Sequence, residues 1–307
     1  MTENKTDTAV LGNLSIDSIS LPPKEQPYLV LGGSAAYVSL AIRALDISVS
    51  IISKVGSDFP KDFFTFLSEQ NIDLSQVKKI ENAISTSFEL TYSSDLSERI
   101  LRLKSQAQTI STDDLIDFKT KIVHIGSIAG EVDLGLIEYV RDRCDILSLD
   151  PQGLLRIFDE SGEVIGYKML EPNLLSNVDL FKSSEEEIIS ATGKSDLESA
   201  IGTIHDCGVE VVIVTKGARG AMISSQGVTY TIPAYPSRKF VDPTGAGDVF
   251  IGAFLAESCR KNDLLWNACV GCASASLVVE KVGPVFFSTR EEIYRRANAL
   301  YAKEIKQ

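Results

Sequence analysis

Short runs of β-branched and apolar residues alternate with amphipathic windows along most of this 307-residue chain. Several runs, such as VVIV within EVVIVTKG, are continuously apolar, which is typical of strands covered on both faces. Windows such as AAYVSLAIRAL and DLESAIGTIHD repeat their apolar residues at helical spacing. This alternation predicts an α/β fold with a doubly wound, mostly parallel central sheet and helices on both faces. We expect residues 1–307 to form one domain of this kind.

Two segments in the first third of the chain break this rhythm. One is SIDSISLPPKEQPYLVLGG at residues 15–33, and the other, residues 84–105, reads as a hairpin of alternating strands around the turn SSDLSE. Together they predict a small β-sheet that projects from the main sheet and covers a site as a lid. Exposed strand edges invite pairing, so the lid edges are candidates for a homodimer contact. After residue 240 the pattern predicts helix almost throughout.

Composition narrows the function classes. The net charge of −12, from 30 basic and 42 acidic residues, argues against nucleic acid and an anionic membrane surface as partners. The five scattered cysteines do not suit a disulfide framework. Cys269 and Cys272 form a lone CxxC, which we expect on the buried side of a helix because no second pair completes a zinc site. Without a signal-peptide pattern or an apolar stretch of membrane-spanning length, the sequence predicts a cytoplasmic protein.

The stretch VDPTGAGDVF at 241–250 carries the candidate chemistry. Gly245 and Gly247 permit a sharp turn before an apolar helix, so the first-turn amides and the positive end of the helix dipole offer a place for an anion. The glycine spacing fits neither the dinucleotide-binding GxGxxG nor a P-loop. Asp248 has two interpretations of equal weight. It is a general base for a hydroxyl while the amides hold a transferring phosphoryl group, or it caps the helix.

DPTGAGDVF resembles the signature of the ribokinase-like (PfkB-type) carbohydrate kinase family, usually DTTGAGDTF. Three other stretches resemble family elements in the family's order: LGNLSID, LGGSAAYVSLAIRALDISVSIISKVGSDF and VTKGARGA. The resemblance spans most of the chain and implies the ribokinase-like fold. By this resemblance Asp248 is the catalytic base, and the amides of Gly245, Ala246 and Gly247 form the anion hole.

The same resemblance implies cofactors and ligand contacts. ATP and Mg²⁺ are the implied cofactors, with K⁺ as the candidate monovalent cation. Glu187 is expected to reach Mg²⁺ through water, and Asp242 to help bind the monovalent cation. Nucleotide contacts are implied for Thr215, Gly217, Gly220 and Asn267, and substrate contacts for Asp17, Gly32, Gly33, Tyr37, Gln152 and Arg156.

The acceptor side of the predicted site departs from the ribokinase pattern. Tyr37 stands where the family's substrate-contacting Asn is usual, and Gly126 or Ser127 stands where ribokinases carry a sugar-binding acid. Near the metal, Ser184 replaces the Asn of the family's NxxE element, but its Glu is kept as Glu187. We therefore expect that the phosphoryl chemistry is kept and that the acceptor is not ribose.

The central loop DPQGLLRIF resembles the version found in the myo-inositol kinase branch of the family, as do FELTY and GPVFF. The sequence thus predicts an ATP-dependent kinase that phosphorylates a hydroxyl of a small sugar or polyol, with myo-inositol favoured. A nucleoside kinase of the same fold stays open, because Phe88, Tyr92 and Tyr37 are able to clamp a base. A non-catalytic sugar-binding regulatory protein is a further alternative, against which the retained Asp248 argues.

Overall fold

The computed structural model describes residues 6–304 except 23, 25, 94–98, 116–117 and 285–287, so the turn expected within SSDLSE and the end of GPVFF lie outside the described residues. Its strands are β1 (Thr8–Leu11), β2 (Ser15–Ser20), β3 (Tyr28–Gly32), β4 (Val49–Gly56), β5 (Asp73–Ile80), β6 (Thr86–Tyr92), β7 (Arg99–Ser105), β8 (Thr120–Gly126), β9 (Cys144–Asp150), β10 (Arg156–Phe158), β11 (Val164–Tyr167), β12 (Leu180–Ser184), β13 (Val211–Thr215), β14 (Ala221–Ser225) and β15 (Val228–Ile232). Its α-helices are α1 (Ser34–Ala44), α2 (Lys61–Glu69), α3 (Gly135–Arg141), α4 (Gln152–Leu155), α5 (Glu185–Thr192), α6 (Leu197–Asp206), α7 (Ala246–Cys259), α8 (Leu264–Val278) and α9 (Arg290–Glu304).

The central sheet has nine strands in the order β15-β14-β13-β12-β9-β8-β1-β4-β5. Every neighbouring pair from β13 to β5 is parallel, whereas at one edge β14 is antiparallel to both β13 and β15. The predicted mostly parallel sheet is confirmed. The chain builds one side of β1 with β4 and β5 and then the other side with β8 and β9. This reversal places a crevice at the carboxyl ends of β1 and β8, where open α/β sheets bind ligands.

Apolar side chains on the two faces of the sheet form two separate clusters. Val10 of β1 packs in the cluster that includes α1, α7, α8 and α9. Its neighbours Ala9 and Leu11 pack in the cluster that includes α3, α5 and α6. Val10 and Leu11 are fully buried, and each such side chain contributes about 1.5–3 kcal/mol on leaving water. Burial on both faces explains why the strands are continuously apolar, and it confirms helices on both sides.

A second sheet of four strands, in the order β3-β2-β6-β7, comes from the two segments that break the alternation. β2 is antiparallel to β3 and parallel to β6, and β6 is antiparallel to β7. Ile19, Phe88 and Leu90 of this sheet pack with Ile128, which follows β8. The small sheet predicted from the sequence is therefore present, and we call it the lid sheet.

A two-stranded hairpin of β10 and β11 escapes prediction, because its strands have only three and four residues. The hairpin is attached to the lid sheet at β7. The Leu103 amide donates to the Gly162 carbonyl at 2.7 Å, and Arg102 pairs with Glu163 at 2.8 Å. Gly162 has a φ of 81°, and a Cβ at this position would lie 2.1 Å from the Leu103 oxygen. Only glycine permits so close an approach of the two backbones.

The cysteines carry no cross-link or metal in the part of the chain that is described. All five are free, and Cys269 and Cys272 are buried on α8, as expected for core residues. Among the described residues no group of three or more His, Cys, Asp or Glu side chains is placed to hold a metal ion. A search of the described helices finds none that combines the length and the apolar character needed to traverse a bilayer.

Candidate active site

A cleft of about 480 Å³ lies between the lid sheet, the loops after β8 and β9, and the starts of α1 and α7. The described lining consists of Ser15, Asp17, Gly33, Ser34, Tyr37, Phe88, Leu90, Arg99, Leu101, Ile128, Gln152, Arg156, Thr244, Gly245 and Asp248. The structure thus brings together Asp17, Gly33, Tyr37, Gln152 and Arg156 from the predicted substrate set with the predicted base and its turn.

The DPTGAGD turn begins α7 in the way the glycines require. Gly245 is the N-cap residue with a φ of 76°, in the left-handed region that favours glycine. The Ala246 amide donates to the Pro243 carbonyl at 3.2 Å, whereas the amides of Gly245 and Gly247 have no acceptor among the described residues. Asp248 is the acidic residue in the first turn of α7, and it lines the cleft. Of its two interpretations, the geometry therefore favours the base over the cap, with two amides free to receive an anion.

The carboxylate of Asp248 sits in a charged and largely dry environment. Burial raises its pKa above the ordinary value of 3.8, the ammonium of Lys182 lowers it, and Asp150 raises it again. Lys182, near the end of β12, forms an ion pair with Asp150 at 2.5 Å, with both side chains nearly inaccessible. A raised pKa makes a carboxylate a stronger base toward a hydroxyl.

Lys182 is a charged neighbour of the turn that the sequence interpretation missed. A Cβ on Gly247 would lie 2.9 Å from the Lys182 Nζ, so the ammonium lies directly against the turn. In a P-loop a lysine follows the glycines along the chain. Here none does, but Lys182 of β12 lies beside the turn in the folded protein. The signal in the sequence is a lysine inside the otherwise apolar strand of VDLFKSS.

Asp17 projects from β2 into the cleft and is only 5% exposed. Burial raises its pKa to about 7, although the hydroxyl of Ser15 and the charge of Arg156 oppose the rise. The Ser15 hydroxyl donates to Oδ1 at 2.6 Å. A Cβ on Gly32 would lie 2.1 Å from Asp17 Oδ2. Gly32 therefore makes room for the carboxylate, because any side chain at this position would clash with Asp17.

Tyr37 and Gly33 support the two walls of the cleft. Gly33 has a φ of 91° at the start of α1, and a Cβ there would lie 2.3 Å from the Asn13 oxygen. The Tyr37 ring lies against Gly245, where a Cβ would come within 2.3 Å of the ring. The Tyr37 hydroxyl is buried and has no hydrogen-bond partner among the described residues. Burial, followed by the charges of Asp17, Asp242 and Asp248, raises the pKa of this phenol.

Arg156 begins β10 and faces the cleft beside the lid sheet. Its Nη1 donates to the Ile128 carbonyl at 2.7 Å, and its guanidinium lies 5.8 Å from the centre of the Phe88 ring. Of the charged lid residues, Arg99 lines the cleft. Arg102 instead pairs with Glu163, and Glu89 lies near Lys104 on a more exposed part of the sheet. The strand pattern alone did not distinguish among these residues.

The two residues expected to serve cations have different environments. Glu187 and Ser184 form a reciprocal capping box at the start of α5, with Glu187 Oε2 accepting from the Ser184 amide at 2.8 Å. Asp242 is 1% exposed, and its Oδ1 accepts hydrogen bonds from Tyr92 and from Thr244. Its Oδ2 is buried without a partner among the described residues. An orphaned buried carboxylate oxygen of this kind suits a cation.

The predicted nucleotide residues lie outside the described lining of the cleft. Gly217, just after β13, has open space where a Cβ would be, whereas a Cβ on Gly220 would lie 2.0 Å from the Ile232 oxygen. The Thr215 hydroxyl donates to the Ser183 carbonyl at 3.3 Å. Asn267 is 1% exposed on α8, and its amide donates to Ser258 of α7 at 3.2 Å. These contacts are structural, and the nucleotide roles stay predictions.

An acidic residue does follow β8, but it does not line the cleft. Glu131 is fully buried. Its carboxylate accepts hydrogen bonds from the amides of Asn13, Ile128 and Ala129 and from the Ser127 hydroxyl. Because the Glu131 carboxylate is hydrogen-bonded to backbone amides around the crevice, the acceptor side of the cleft lacks an exposed acid after β8.

A carboxylate at a helix start, two free amides and a polar cleft beside the lid sheet are features that suit phosphoryl transfer to an alcohol. The model of the pfkB family carbohydrate kinases matches residues 5–290, and the chain belongs to this family. The predicted family is confirmed, and with it the ribokinase-like fold and the kinase class.

Relatives in this family differ in their substrates. The chain is 28% identical over 283 residues to the cytidine kinase of Thermococcus kodakarensis, covering 90% of this chain and 97% of the relative. It is 25% identical over 281 residues to the inositol 3-kinase of Arabidopsis thaliana, covering 87% and 74%. A pyrophosphate-dependent kinase in the ribokinase family, solved as a sulfate complex, superposes with a TM-score of 0.80 at 25% identity and covers 94% and 99%.

Proposed function

We propose that this protein transfers the γ-phosphoryl group of ATP to a hydroxyl of a small polyol or sugar, with myo-inositol as the leading acceptor. The observation that carries the proposal is the position of Asp248. Asp248 lines the cleft and has a raised pKa, beside a turn with two free amides. This arrangement suits a base aimed at a hydroxyl rather than a helix cap.

In the proposed reaction Asp248 accepts the proton of the acceptor hydroxyl as its oxygen attacks the γ-phosphorus. The new O–P bond forms as the bond from phosphorus to the ADP oxygen breaks. The amides of Gly245 and Gly247 receive the negative charge on the transferring group. The lid sheet excludes water, which would otherwise compete as acceptor. In this proposal Ala246 contributes less than its neighbours, because its amide already donates to Pro243.

Two cations fit residues of this chain. Mg²⁺ commonly binds proteins through one carboxylate and waters, together with substrate phosphates, so we assign Glu187 as its protein contact through water. When bound, it neutralises charge on the donor phosphates. Asp242 Oδ2 is the position for a monovalent cation such as K⁺, since this oxygen is buried and unpartnered among the described residues.

The lining of the cleft favours a polyol over a nucleoside as acceptor. Asp17, Gln152 and Arg156 offer hydrogen-bond partners to ring hydroxyls. Of the three aromatic residues considered for a base clamp, Tyr92 is tied to Asp242 and Thr244 and is absent from the described lining. Tyr37 packs on Gly245, which leaves Phe88 as the ring free to stack. The inositol 3-kinase relative supports this acceptor, and the cytidine kinase relative supports the alternative.

The test is a matrix of acceptors and donors. Inositols, hexoses, pentoses and nucleosides would each be combined with ATP or pyrophosphate in the presence of Mg²⁺, and phosphorylated product measured directly. We expect turnover with ATP and a cyclic polyol. Turnover with nucleosides only would refute the acceptor, and turnover with pyrophosphate only would refute the donor. No turnover in any combination, with sugar binding retained, would favour the regulatory protein.

We also propose that the lid sheet forms a homodimer contact through β3. This strand is an edge of the sheet, and its Leu29 is 66% exposed. Multi-angle light scattering of the wild type and of Leu29→Lys tests the proposal. A dimer that Leu29→Lys converts to monomer is expected, and a wild-type monomer refutes it.

A further inference from the structure

Lys182 is a buried cation held in a fixed position. Its side chain is 4% exposed, and its ammonium donates to Asp150 Oδ2 at 2.5 Å. Burial alone would lower the pKa of Lys182, but the carboxylates of Asp150, Asp248 and Glu187 raise it above its ordinary value. The lysine is therefore charged at neutral pH. A single hydrogen bond uses one of its three donors.

The ammonium lies against the part of the chain that would hold the phosphoryl group. A Cβ on Gly247 would meet the Lys182 Nζ at 2.9 Å and its Cε at 3.5 Å. The lysine comes from β12, whereas the turn precedes α7, so the contact exists only in the folded protein. The positive charge and the two free amides of the turn then lie in one region of low water content, where electrostatic interactions are strong.

We propose that Lys182 is a positioning residue for phosphoryl transfer, which supplies the fixed positive charge behind the Gly245–Gly247 turn. The inference rests on the proposed function, since it assigns a role in the same reaction. Burying an ion pair is costly, and a hydrophobic pair of similar volume is often as stable. A purely structural role is thus a weak reason for a lysine at this position.

Four charged or titratable groups act on Asp248 from the elements around it: Lys182 on β12, Asp150 on β9, Arg156 on β10 and Tyr37 on α1. Lys182 and Asp150 have opposite effects on its pKa. Removing Lys182 should raise the pKa of Asp248, and removing the Asp150 charge should lower it. Since the base must be ionised to act, the acid limb of the kcat profile should move in the same directions.

The experiment compares Lys182→Met, Asp150→Asn and the double variant with the wild type. Lys182→Met should lower kcat by about 10²-fold or more, as for the loss of an anion-hole donor, and shift the acid limb to higher pH. Asp150→Asn should shift the acid limb to lower pH. The single lysine variant leaves Asp150 buried and unpaired, which threatens folding. The double variant removes both charges, so it should fold and still have low kcat.

Lys54→Met is the matched control. Lys54 is also a largely buried lysine in an ion pair, with Asp114 at 2.6 Å, but it does not line the cleft. This variant should lose stability while its acid limb stays in place. Recovery of wild-type kcat in the double variant would overturn the inference, as would an acid limb that Lys182→Met leaves unmoved.

A binding measurement separates this inference from the proposed function. Pyrophosphate binding by calorimetry needs neither an acceptor nor turnover. Lys182→Met should weaken it about tenfold or more, the loss expected for a charge-assisted contact. Equal affinity in wild type and variant would overturn the role of Lys182 even in an active kinase. Weaker binding by the variant would support that role even if the acceptor matrix failed.

Discussion

Replacing Asp17 by Asn should stabilise this protein at neutral pH. The pKa of Asp17 is about 7 in the folded protein against an ordinary value of 3.8. Above pH 7 the folded state must hold a charged carboxylate in a buried site, whereas the same group is charged and hydrated in the unfolded chain. At 1.36 kcal/mol for each pKa unit, the difference corresponds to about 4 kcal/mol of lost stability. Asn has nearly the same shape, and its oxygen can still accept from Ser15.

The sign of the pH dependence follows from the raised pKa. At low pH the carboxyl is neutral in both states, and its ionisation costs nothing. As the pH rises past 3.8, ionisation in the unfolded state lowers the free energy of unfolding. This loss of stability is complete only above about pH 7. About half of the loss is present at pH 5.5, so the stability gained by Asp17→Asn should grow by about 2 kcal/mol between pH 5.5 and pH 8.

Urea denaturation followed by circular dichroism at both pH values measures this difference. Asp114 provides a control of opposite sign. Burial would raise its pKa, but hydrogen bonds from Lys54 and from the Ser111 amide lower it to about 2. Asp114→Asn should therefore lose stability at both pH values. A stability difference for Asp17→Asn that does not change with pH would refute the reasoning. Acceptor binding should also weaken, since the carboxylate is proposed to contact the acceptor.

Two further predictions concern the turn before α7. Asp248→Asn should lower kcat by about 10²–10⁴-fold, the usual contribution of a general base, with donor affinity from calorimetry within about threefold of wild type. Near-normal kcat would exclude Asp248 as the base. Gly245→Ala should lose about 2 kcal/mol or more in urea denaturation, because a Cβ would strike the Tyr37 ring in a left-handed backbone. Gly202→Ala on α6, where nothing lies within 4 Å, should instead gain about 0.5–1 kcal/mol. Equal effects at the two glycines would contradict this explanation.

The sequence predicted the central sheet well because each strand carries its own signal. Strands such as β13 are buried on both faces, so the apolar run is continuous and local. Asp248 and Asp17 could likewise be singled out as candidate site residues from the sequence, because each lies in a short recognisable stretch. The β10–β11 hairpin has no such signal, because its stability depends on a contact with β7 that is distant in sequence.

Lys182 and Tyr37 show what a linear pattern cannot contain. The contact of Lys182 on β12 with Gly247 on α7 joins two segments that are distant in sequence. Tyr37 was expected to contact substrate because of its place in a signature. Its ring also supports Gly245, a contact visible only once α1 and α7 are placed together. Both facts concern distances between segments rather than residue types.

The attachment of the β10–β11 hairpin to β7 limits how the cleft can admit its substrate. Arg156 stands at the first position of β10, and β7 contributes Arg99 and Leu101 to the same cleft. For β7 to swing outward alone, the Leu103–Gly162 bond and the Arg102–Glu163 pair must break, at a cost of about 1–2 kcal/mol. If they hold, the guanidinium of Arg156 moves with the lid sheet, and its hydrogen bond to the Ile128 carbonyl must break instead. Opening of the lid sheet to admit the acceptor and placement of Arg156 against that acceptor would then be coupled in one movement.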